Sequence, residues 1–391
     1  MMKLNELIKE LCPNGVEYKT LGEVCEMQRG TSLTKANSVE GEYPVISGGK
    51  EPAFYCNQFN RDGENITVAG SGAGSGFVQY WNKKIFVCDA FSVKGKENLS
   101  TKFIYYCLTN LQEQIYSTKK GGGVPHVHVS SIENFQIPVP PLPVQEEIVR
   151  ILDSFTELTA ELTAELTARR KQYEYYRDAL LTAKTHKTEE VFLEDIAEYS
   201  KEKILASEVS ADSYVGVDNL LQNCQGKEAS THIPKEGNLT KYHPKDILIG
   251  NIRPYLKKIW FADNMGGTNG DVLVIHPTSQ KIIPRYLYFN LSSARFFDYD
   301  NSKSKGAKMP RGDKDIIMKY KLTLPPLSVQ QRIVNVLDNF DAICSDLKIG
   351  LPVEIDARKK QYEYYRDLLL TFAERGNTIF TEQNRTEQNS R

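Results

Sequence analysis

The chain contains 391 residues, of which 40% are hydrophobic and 25% are charged, a composition typical of a folded protein. Its 49 basic and 50 acidic residues leave a net charge of -1, which excludes a uniformly basic nucleic-acid coat but allows local basic patches. No run approaches the roughly 18 apolar residues of a membrane span, and the start MMKLNELIKELC indicates an amphipathic helix rather than a signal peptide. We therefore expect a cytoplasmic protein without a membrane partner.

Residues 1–139 predict a first domain that mixes strands and helices. Its strand-like runs, bounded by Gly, Asn and Pro, are ENITVAG, GFVQYW and KKIFVCDAFSVK. Residues 186–324 predict a second such domain, with the runs KDILIGNI and DVLVIHP. Neither segment alternates strands and helices regularly, which argues against a doubly wound nucleotide-binding fold. The predicted class is α+β.

Residues 140–185 predict a long helix between the two domains. Apolar side chains recur there at the three- and four-residue spacing of a helical stripe: Val144, Ile148, Ile151, Leu152, Phe155, Leu158, Leu162 and Leu166. If the helix runs unbroken from Val144 to Ala183, it is roughly 60 Å long at 1.5 Å per residue. A helix of that length needs a packing partner.

Residues 325–376 predict a second helical region, followed by a polar tail at 377–391 that we expect to be disordered. The helix starts in the same way at Val329, but Gly350 and Pro352 interrupt it. Proline lacks the backbone donor and clashes with the preceding turn. We expect a kink or a break at this point.

The two helical regions are near-copies of each other. PPLPVQEEIVRILDSF (140–155) returns as PPLSVQQRIVNVLDNF (325–340) with 10 of 16 positions identical, and ARRKQYEYYRDALLT (168–182) returns as ARKKQYEYYRDLLLT (357–371) with 13 of 15 identical. The offset between copies grows from 185 to 189 residues, so the second copy contains four additional residues. Residues 30–120 and 200–300 look unrelated. The chain therefore repeats a unit of one domain plus one helix, in which the helix has been kept and the domain has diverged.

These motifs, together with the opening PNGVEYKTLGEV, resemble the specificity subunit of type I restriction-modification systems over nearly the whole chain. The resemblance implies two mixed α/β target-recognition domains, each reading one half of a bipartite, asymmetric site in double-stranded DNA. It also implies that the two conserved helical regions form a long antiparallel, coiled-coil-like pair with pseudo-twofold symmetry, which sets the separation of the domains. Pro352 departs from an uninterrupted coiled coil.

The same resemblance implies a non-catalytic subunit that binds no cofactor. The expected partners are two methyltransferase subunits and two restriction/translocase subunits, which would bring S-adenosylmethionine, ATP and Mg²⁺. The alternative is a DNA methyltransferase or nuclease with its own recognition domains. Against it, the two Pro-Pro pairs read VPPL and LPPL rather than N/D-P-P-Y/F, and we find no acidic pair followed by E-x-K that would hold Mg²⁺.

The tract TELTAELTAELTA, 156–168, contains tandem TAEL units. Its leucines, Leu158, Leu162 and Leu166, form a stripe on the helix and thus have a structural role. Similar subunits suggest that the tract is also a ruler, because each added unit lengthens the helix by about 6 Å.

The duplicated block KQYEYYRD has two interpretations that can hold together. Tyr173, Tyr176 and Leu180 fall on one helical stripe, as do Tyr362, Tyr365 and Leu369 in the second copy, which favours packing between the two helices. The near-identity of the copies also fits a surface that meets the same partner twice. The candidate partner-binding residues are Tyr173, Tyr176, Arg177, Tyr362, Tyr365 and Arg366.

Several loop residues are candidates for DNA contacts, with an ordinary solvated loop as the alternative. KKGGGVPHVH (119–128) and KSKGAKMPRGDK (303–314) occupy the same repeat position and combine glycines with basic side chains, while NIRPYLKK (251–258) offers Asn and Arg suited to base edges. The glycine-rich run 68–76 lacks G-x-G-x-x-G spacing, so it predicts a hairpin or a close approach to DNA. The candidates are Arg29, Lys35, Ser71, Lys119, Lys120, His126, His128, Asn251, Arg253, Lys257, Lys303, Lys305, Lys308 and Arg311. His126 and His128 share one side of the chain, but no acidic or cysteine cluster completes a metal set, so we expect no metal site.

Overall fold

The computed structural model describes residues 2–121, 123–183, 188–306, 308–345 and 350–372. The chain divides into two compact units, each of which is built from two separate stretches of sequence. Unit 1 comprises residues 1–160 and 357–391, and unit 2 comprises residues 161–356. The predicted tail at 377–391 lies outside the described residues, and the domain boundaries at 140, 186 and 325 stay predictions.

Unit 1 contains the predicted strands and short helices. In chain order its elements are α1 (Met2–Leu11), β1 (Glu17–Thr20), α2 (Leu21–Val24), β2 (Cys25–Arg29), β3 (Tyr43–Ile46), β4 (Phe54–Cys56), β5 (Glu64–Ala69), β6 (Val78–Asn82), β7 (Phe86–Val87), β8 (Ala90–Gly95), α3 (Thr101–Asn110), α4 (Gln112–Ser117), α5 (Val129–Ile132) and β9 (Gln136–Val139). The first half of α6 (Leu142–Thr182) completes this part of the unit.

The strands of unit 1 form an antiparallel four-stranded sheet in the order β2-β8-β5-β6, a three-stranded sheet β4-β3-β7 and a two-stranded ribbon β1-β9. The helix α3 packs on the four-stranded sheet and buries Phe103, Ile104 and Leu108 against Ile66 and Val93. The runs ENITVAG, GFVQYW and KKIFVCDAFSVK contain β5, β6, β7 and β8, so their prediction as strands is confirmed.

Unit 2 repeats this plan with different sequence. Its elements are β10 (Glu189–Phe192), β11 (Ala197–Tyr199), β12 (Lys203–Leu205), β13 (Tyr214–Val215), β14 (Asn238–Tyr242), β15 (Ile247–Gly250), β16 (Ile259–Phe261), β17 (Gly266–Thr268), β18 (Val272–Pro277), α7 (Pro284–Leu291), α8 (Ala294–Lys303), α9 (Lys314–Met318), β19 (Lys321–Leu324) and α10 (Leu327–Ser345). The last helix, α11 (Leu351–Leu369), begins in unit 2 and continues into unit 1.

The sheets of unit 2 resemble those of unit 1 in their arrangement. One four-stranded antiparallel sheet has the order β11-β18-β15-β16, a second has the order β12-β14-β17-β13, and β10 pairs with β19 as a ribbon. The runs KDILIGNI and DVLVIHP contain β15 and β18, as predicted. The mixed α/β composition predicted for both domains is therefore confirmed.

The helix α6 is continuous over 41 residues, which confirms the predicted unbroken helix from about Val144 to Ala183. Its two ends belong to different cores. Val144, Ile148 and Leu152 are fully buried in unit 1, whereas Leu181 is buried in unit 2. Between these ends, the three leucines of the TAEL tract are only half-buried. The helix is thus held by its termini.

The second helical region consists of two helices, as the interruption at Gly350 and Pro352 predicts. Gly350 lies outside both α10 and α11, and Pro352 is the second residue of α11. A proline is tolerated there because the first turn of a helix needs no backbone donor. Ile333 and Leu337 of α10 are buried in unit 2, whereas Leu369 at the end of α11 is buried in unit 1.

A buried glutamine fixes the start of each long helix. In unit 1, the Oε1 atom of Gln145 accepts from the backbone of Ser100 at 2.9 Å, and its Nε2 atom donates to the carbonyl of Pro140 at 2.7 Å. In unit 2, the Oε1 atom of Gln330 accepts from Ile283 at 2.9 Å, and its Nε2 atom donates to Pro325 at 2.8 Å. These bonds join each helix to its own domain, since buried backbone groups need partners. None of the helices in the described parts of the chain has the length and hydropathy of a membrane span.

Candidate nucleic-acid interface

Two loops that are far apart in sequence meet at one end of the main sheet in unit 1. We call residues 70–76 and 119–128 the first loop pair. The backbone N–H of Gly72 donates to the carbonyl of Pro125 at 3.0 Å, and the N–H of Val127 donates to the carbonyl of Gly70 at 3.0 Å. Ser71 and His126 are directly opposite each other in an antiparallel bridge. The structure therefore brings together two candidates that the sequence separates by more than 50 positions.

Polar side chains line the cleft beside the first loop pair. The hydroxyl of Ser71 donates to the Oδ2 atom of Asp89, and Arg29 at the end of β2 lies in the same cleft as His126 and His128. The two imidazole rings are parallel with centroids 6.0 Å apart, so the expectation that they share one side is confirmed. A cleft with both hydroxyl and carboxylate acceptors and cationic donors can pair with base edges.

Of the remaining candidates of unit 1, Lys119 and Lys120 belong to the first loop pair, whereas Lys35 lies elsewhere. Lys120 pairs with His126 through two backbone hydrogen bonds of 2.8 and 3.0 Å and its side chain is exposed. The ammonium of Lys119 lies 4.2 Å from the ring centroid of Tyr116. Lys35 lies at a second cleft, which is lined by Glu40 and Tyr55 among others.

Unit 2 contains a matching arrangement, formed by residues 251–257 and 303–312, which we call the second loop pair. The N–H of Arg253 donates to the carbonyl of Pro310 at 2.7 Å, and the N–H of Gly312 donates to the carbonyl of Asn251 at 3.2 Å. Ile252 and Arg311 are opposite each other in an antiparallel bridge. Both arginines are exposed.

The backbone of the second loop pair is strained at two non-glycine residues. Arg253 has a φ of 55° and Lys257 has a φ of 50°, on either side of a 3-10 turn. A left-handed conformation costs a non-glycine residue roughly 1–2 kcal/mol. A neighbouring turn with the same strain holds the loop, because the N–H of Cys224 donates to the carbonyl of Lys257 at 2.9 Å. Strain that the surroundings maintain is often found at binding sites.

Acidic neighbours orient the basic side chains of the second loop pair. Arg311 lies 3.0 Å from the carboxylate of Asp271, and Lys305 lies 2.7 Å from that of Asp313. The hydrogen bond with Asp313 raises the pKa of Lys305, which therefore stays charged. Solvent screens ion pairs that are this exposed, so a phosphate or a base can replace the carboxylate.

The other candidates of unit 2 differ in how exposed their side chains are. Lys303 is in the last turn of α8 and is exposed, as is Lys308. Lys257 is half-buried in a different cleft, which it lines together with Arg170 and Arg177. Asn251 is buried at 7% exposure, unlike the exposed basic side chains of the same loop pair, and its contact with a base stays a prediction.

The two loop pairs occupy equivalent positions in their units but present different side chains. In both, the chain just after the central strand, β5 or β15, pairs with the loop that precedes a short helix, α5 or α9. Where unit 1 pairs Ser71 with His126, unit 2 pairs Ile252 with Arg311. Gly121 and Gly306 have φ angles of 110° and 109°, a conformation that glycine adopts without strain. The same backbone frame thus displays two sets of chemistry.

Two of the three tyrosines in each duplicated block contact other side chains of their unit. Phe155 stacks on Tyr365 at 5.3 Å in unit 1, and Phe340 stacks on Tyr176 at 5.9 Å in unit 2. Tyr362 lies 6.5 Å from the ring of Tyr106. The alternative of helix packing is thus favoured for these side chains.

The arginines of the duplicated block also make contacts within their units. Arg177 is buried and donates to the carbonyl of Ser292 at 3.2 Å, with its guanidinium 5.5 Å from the ring centroid of Tyr173. Arg366 donates to the side chain of Asn110 at 3.1 Å. Arg177 cannot reach a partner while that contact holds, which corrects its candidacy as a partner-binding residue.

One tyrosine of each copy points outward, and neither is among the residues predicted to bind a partner. Tyr175 is 71% exposed and Tyr364 is 57% exposed, at positions that the repeat makes equivalent. Each contacts its neighbour, Tyr176 or Tyr365, edge to face at 5.5 and 5.4 Å. The sequence contains a sign of this, because Tyr173 and Tyr176 are three positions apart and share one face of the helix, whereas Tyr175 does not. Asp89 was missed as well, although a charged residue within the apolar run KKIFVCDAFSVK marks it.

No group of three or more His, Cys, Asp or Glu side chains that could hold a metal ion lies within the described ranges. The loop pairs consist of donors, acceptors and cations around open clefts. Such an arrangement can bind a polyanion with readable edges.

The family model of the type I restriction-modification DNA specificity domain matches residues 13–169 and again residues 186–357. A type I restriction enzyme specificity subunit of Haemophilus influenzae is 30% identical over 401 aligned positions, covering 95% of this chain and 100% of its own. The specificity subunit of the EcoR124I/EcoR124II enzyme of Escherichia coli is 30% identical over 405 positions, covering 95% of this chain and 98% of its own.

Solved structures have the same fold. The S subunit of a type I restriction-modification system from M. genitalium superposes with a TM-score of 0.56 at 19% identity, covering 91% of this chain and 95% of that one. A chain from a structural study of complex assembly in the type I restriction-modification system gives a TM-score of 0.56 at 16% identity and covers 93% of this chain and 99% of its own.

Replacing Arg253 tests the strained loop. Arg253→Gly should have a free energy of unfolding about 1 kcal/mol higher than Arg253→Ala, because only glycine adopts a φ of 55° without steric strain. Urea denaturation of the full chain measures the difference. At Arg29, which is in a β-strand, the same two substitutions should rank in the opposite order, with alanine the more stable. An alanine variant at 253 as stable as the glycine variant would contradict the strain.

Proposed function

Because the chain belongs to the type I restriction-modification DNA specificity family, we propose that its two units each read one half of a bipartite, asymmetric site in double-stranded DNA. The observation that carries the proposal is the pair of equivalent loop pairs with different side chains. Two copies of one binding frame suit a ligand that presents similar geometry twice with different sequence. Double-stranded DNA is such a ligand, since each groove segment has the same shape and a different pattern of donors and acceptors.

The second loop pair is suited to direct readout. Arg253 and Arg311 are both exposed, and Arg253 directly follows Ile252, which is opposite Arg311 in the backbone bridge. Two guanidinium groups at one site can bind guanine or bridge a base and a phosphate, and each good bidentate contact discriminates by roughly 1–3 kcal/mol. In the first loop pair, Ser71 and Asp89 offer acceptors, which pair with the amino groups of adenine or cytosine. The two half-sites should therefore differ.

Methylation mapping tests this division of labour. The chain carrying Arg253→Gly and Arg311→Ala, assembled with its methyltransferase partner, should relax recognition at one half-site by roughly tenfold or more for each lost bidentate contact and leave the other half unchanged. His126→Ala should alter the opposite half. A randomised DNA library sequenced for methylation measures both. The chain without its partner should give neither methylation nor cleavage. If both variants alter the same half, or the chain alone is active, the proposal is wrong.

The subunit is non-catalytic in this proposal, and S-adenosylmethionine, ATP and Mg²⁺ are bound by the partners. Those partners are two methyltransferase subunits and two restriction/translocase subunits, which work on DNA in the cytoplasm. The competing function, a methyltransferase or nuclease with its own recognition domains, finds no supporting side-chain constellation in the loop pairs.

The helix α6 sets the spacing between the two half-sites. The boundary between the compact units falls at Ala160 and Glu161, inside the TAEL tract. In this proposal, the length of the continuous helix across that boundary sets the distance between the two half-sites. Because Leu158, Leu162 and Leu166 are only half-buried, TAEL repeats can be added without disrupting a hydrophobic core. A pseudo-twofold, antiparallel pairing of the two long helical regions fits the matched contacts of their ends.

Changing the length of the tract tests the ruler. Insertion of one TAEL unit after Ala168 lengthens α6 by about 6 Å and should increase the non-specific spacer by about 1–2 base pairs at 3.4 Å each, with both half-sites unchanged. Methylation mapping reads the spacer directly. A Leu162→Ala variant of the original length serves as the control and should keep the spacer. An unchanged spacer length after the insertion would contradict the role of the tract as a ruler.

Tyr175 and Tyr364 mark the docking surfaces for the two methyltransferase copies. They are equivalent in the repeat, strongly exposed and supported from behind by a second tyrosine. Rigid exposed aromatics are typical anchors of protein interfaces. Two equal anchors on one chain fit two copies of one partner.

Single and double substitutions of these tyrosines should reduce the number of methyltransferase copies that the chain binds, one copy for each substitution. Tyr175→Ala or Tyr364→Ala alone should weaken one of two methyltransferase copies by about tenfold or more, and the double variant should weaken both. Native mass spectrometry counts the copies bound. Tyr55→Ala, at a tyrosine with 51% exposure in another part of unit 1, is the matched control and should bind two. Normal assembly of the double variant would contradict these anchors.

A further inference from the structure

Three acceptor oxygens without donors are buried beneath the second loop pair. Asp300 of α8 is 1% exposed and Asn251 is 7% exposed. Among the described residues, neither carboxylate oxygen of Asp300 nor the Oδ1 atom of Asn251 has a hydrogen-bond partner. A buried, unpaired carboxylate is strongly unfavourable, so something must compensate for it.

Both side chains point to the same small space beside Gly312. A Cβ atom at this glycine would stand 2.4 Å from the Oδ1 atom of Asp300 and 2.7 Å from the Oδ1 atom of Asn251. Any larger residue would collide with both oxygens. The two oxygens therefore lie close together beside this glycine, at a point where the backbone already joins the loops through the Gly312 to Asn251 hydrogen bond of 3.2 Å.

Unit 1 has an apolar junction at the equivalent place. At the offset of 185 residues, Ile115 corresponds to Asp300 and Val127 to Gly312, and both are buried. Their Cγ2 atoms converge on one point, 3.2 and 3.3 Å from where a Cβ of Gly76 would stand. The backbone bond from Val127 to Gly70 matches the one from Gly312 to Asn251. Unit 2 thus has Asp300, Asn251 and Gly312 at the positions where unit 1 has Ile115, Gly70 and Val127.

We propose that Asp300 and Asn251 bind a small monovalent cation, Na⁺ or K⁺, beneath the second loop pair. Hard cations take oxygen ligands of the carboxylate and amide type. One carboxylate supplies one negative charge, which matches a monovalent ion, and the described residues bring no second acid into the space. The remaining ligands would be water or carbonyl oxygens.

Burial shifts the ionisation of Asp300. Desolvation raises the pKa of Asp300 to about 6, and no charged neighbour contributes. The charged form of this carboxyl group therefore needs a neutralising cation, because it has no other counter-charge. The ionisable side chains on the elements around it include Tyr199 of β11, Tyr299 and Lys303 of α8, Arg311 beside Gly312, and Asp313 and Asp315 at the start of α9. None of them contributes to the pKa shift of Asp300, which burial alone produces.

The cation would tie α8 to the residues that frame the two exposed arginines. Asn251 is two positions before Arg253, and Gly312 directly follows Arg311. An occupied site fixes both loops in the geometry that reads DNA, and this consequence rests on the proposed function. The binding of the ion itself does not depend on it.

Thermal unfolding of the full chain tests the site without DNA. In KCl or NaCl the wild-type chain should have a Tm roughly 2–4 °C higher than in tetramethylammonium chloride of the same concentration, because only the small ions fit. Asp300→Asn should abolish this difference. Asp298→Asn, at an exposed acid on the same helix, is the matched control and should keep it. A triple variant that copies unit 1, Asp300→Ile with Gly312→Val and Asn251→Gly, should fold and show no cation response.

Equal Tm values for the wild-type chain in both salts, or the same cation response in Asp300→Asn, would overturn the cation site. So would an infrared band of a protonated carboxylic acid at neutral pH that disappears in Asp300→Asn, because a proton would then occupy the position. If the cation response is present and the Arg253 and Arg311 substitutions leave both DNA half-sites unchanged, the site stands and the DNA-reading role of the loops fails.

Discussion

The long helix α6 cannot bury its own apolar stripe, and the rest of the structure depends on how this constraint is met. An isolated helix is only marginally stable in water, and most helical stability in proteins comes from packing. The leucines of its middle section are half-buried, whereas Val144 and Leu152 near one end and Leu181 near the other are buried in two different cores. Each core therefore has to include the terminal part of a helix that begins in the other unit.

This requirement explains why the helical blocks stay alike while the domains diverge. The block 140–155 needs an aromatic partner for Phe155, which is Tyr365, and the block 325–340 needs the same for Phe340, which is Tyr176. Lys102 with Asp153 and Arg285 with Asp338 add an equivalent ion pair in each unit. A substitution in one block would disturb a core that the other copy helps to form. The loops at the far end of each sheet carry no such restriction.

Much of the secondary structure could be predicted from the sequence, because it depends on local periodicity. The strands β5, β15 and β18, the unbroken helix and the interruption at Gly350 all follow from patterns within a few residues. The exchange of helix ends could not be predicted, since the two KQYEYYRD blocks are nearly identical and fit either core. The inward direction of Arg177 and the meeting of Asn251 with Asp300 depend on contacts between distant segments, which no local pattern contains.

The loop pairs show how two recognition surfaces can differ without a change of fold. Their register is fixed by backbone hydrogen bonds, Gly72 to Pro125 in one unit and Arg253 to Pro310 in the other, which any side chain permits. Residues across the bridge can thus change from serine and histidine to isoleucine and arginine while the frame remains. The buried layer beneath the frame is less tolerant, because an acid there needs a counter-charge and space. The pair of Asp300 and Gly312 meets both needs at once, so we expect changes at these two positions to occur together and changes at the exposed loop positions to occur singly.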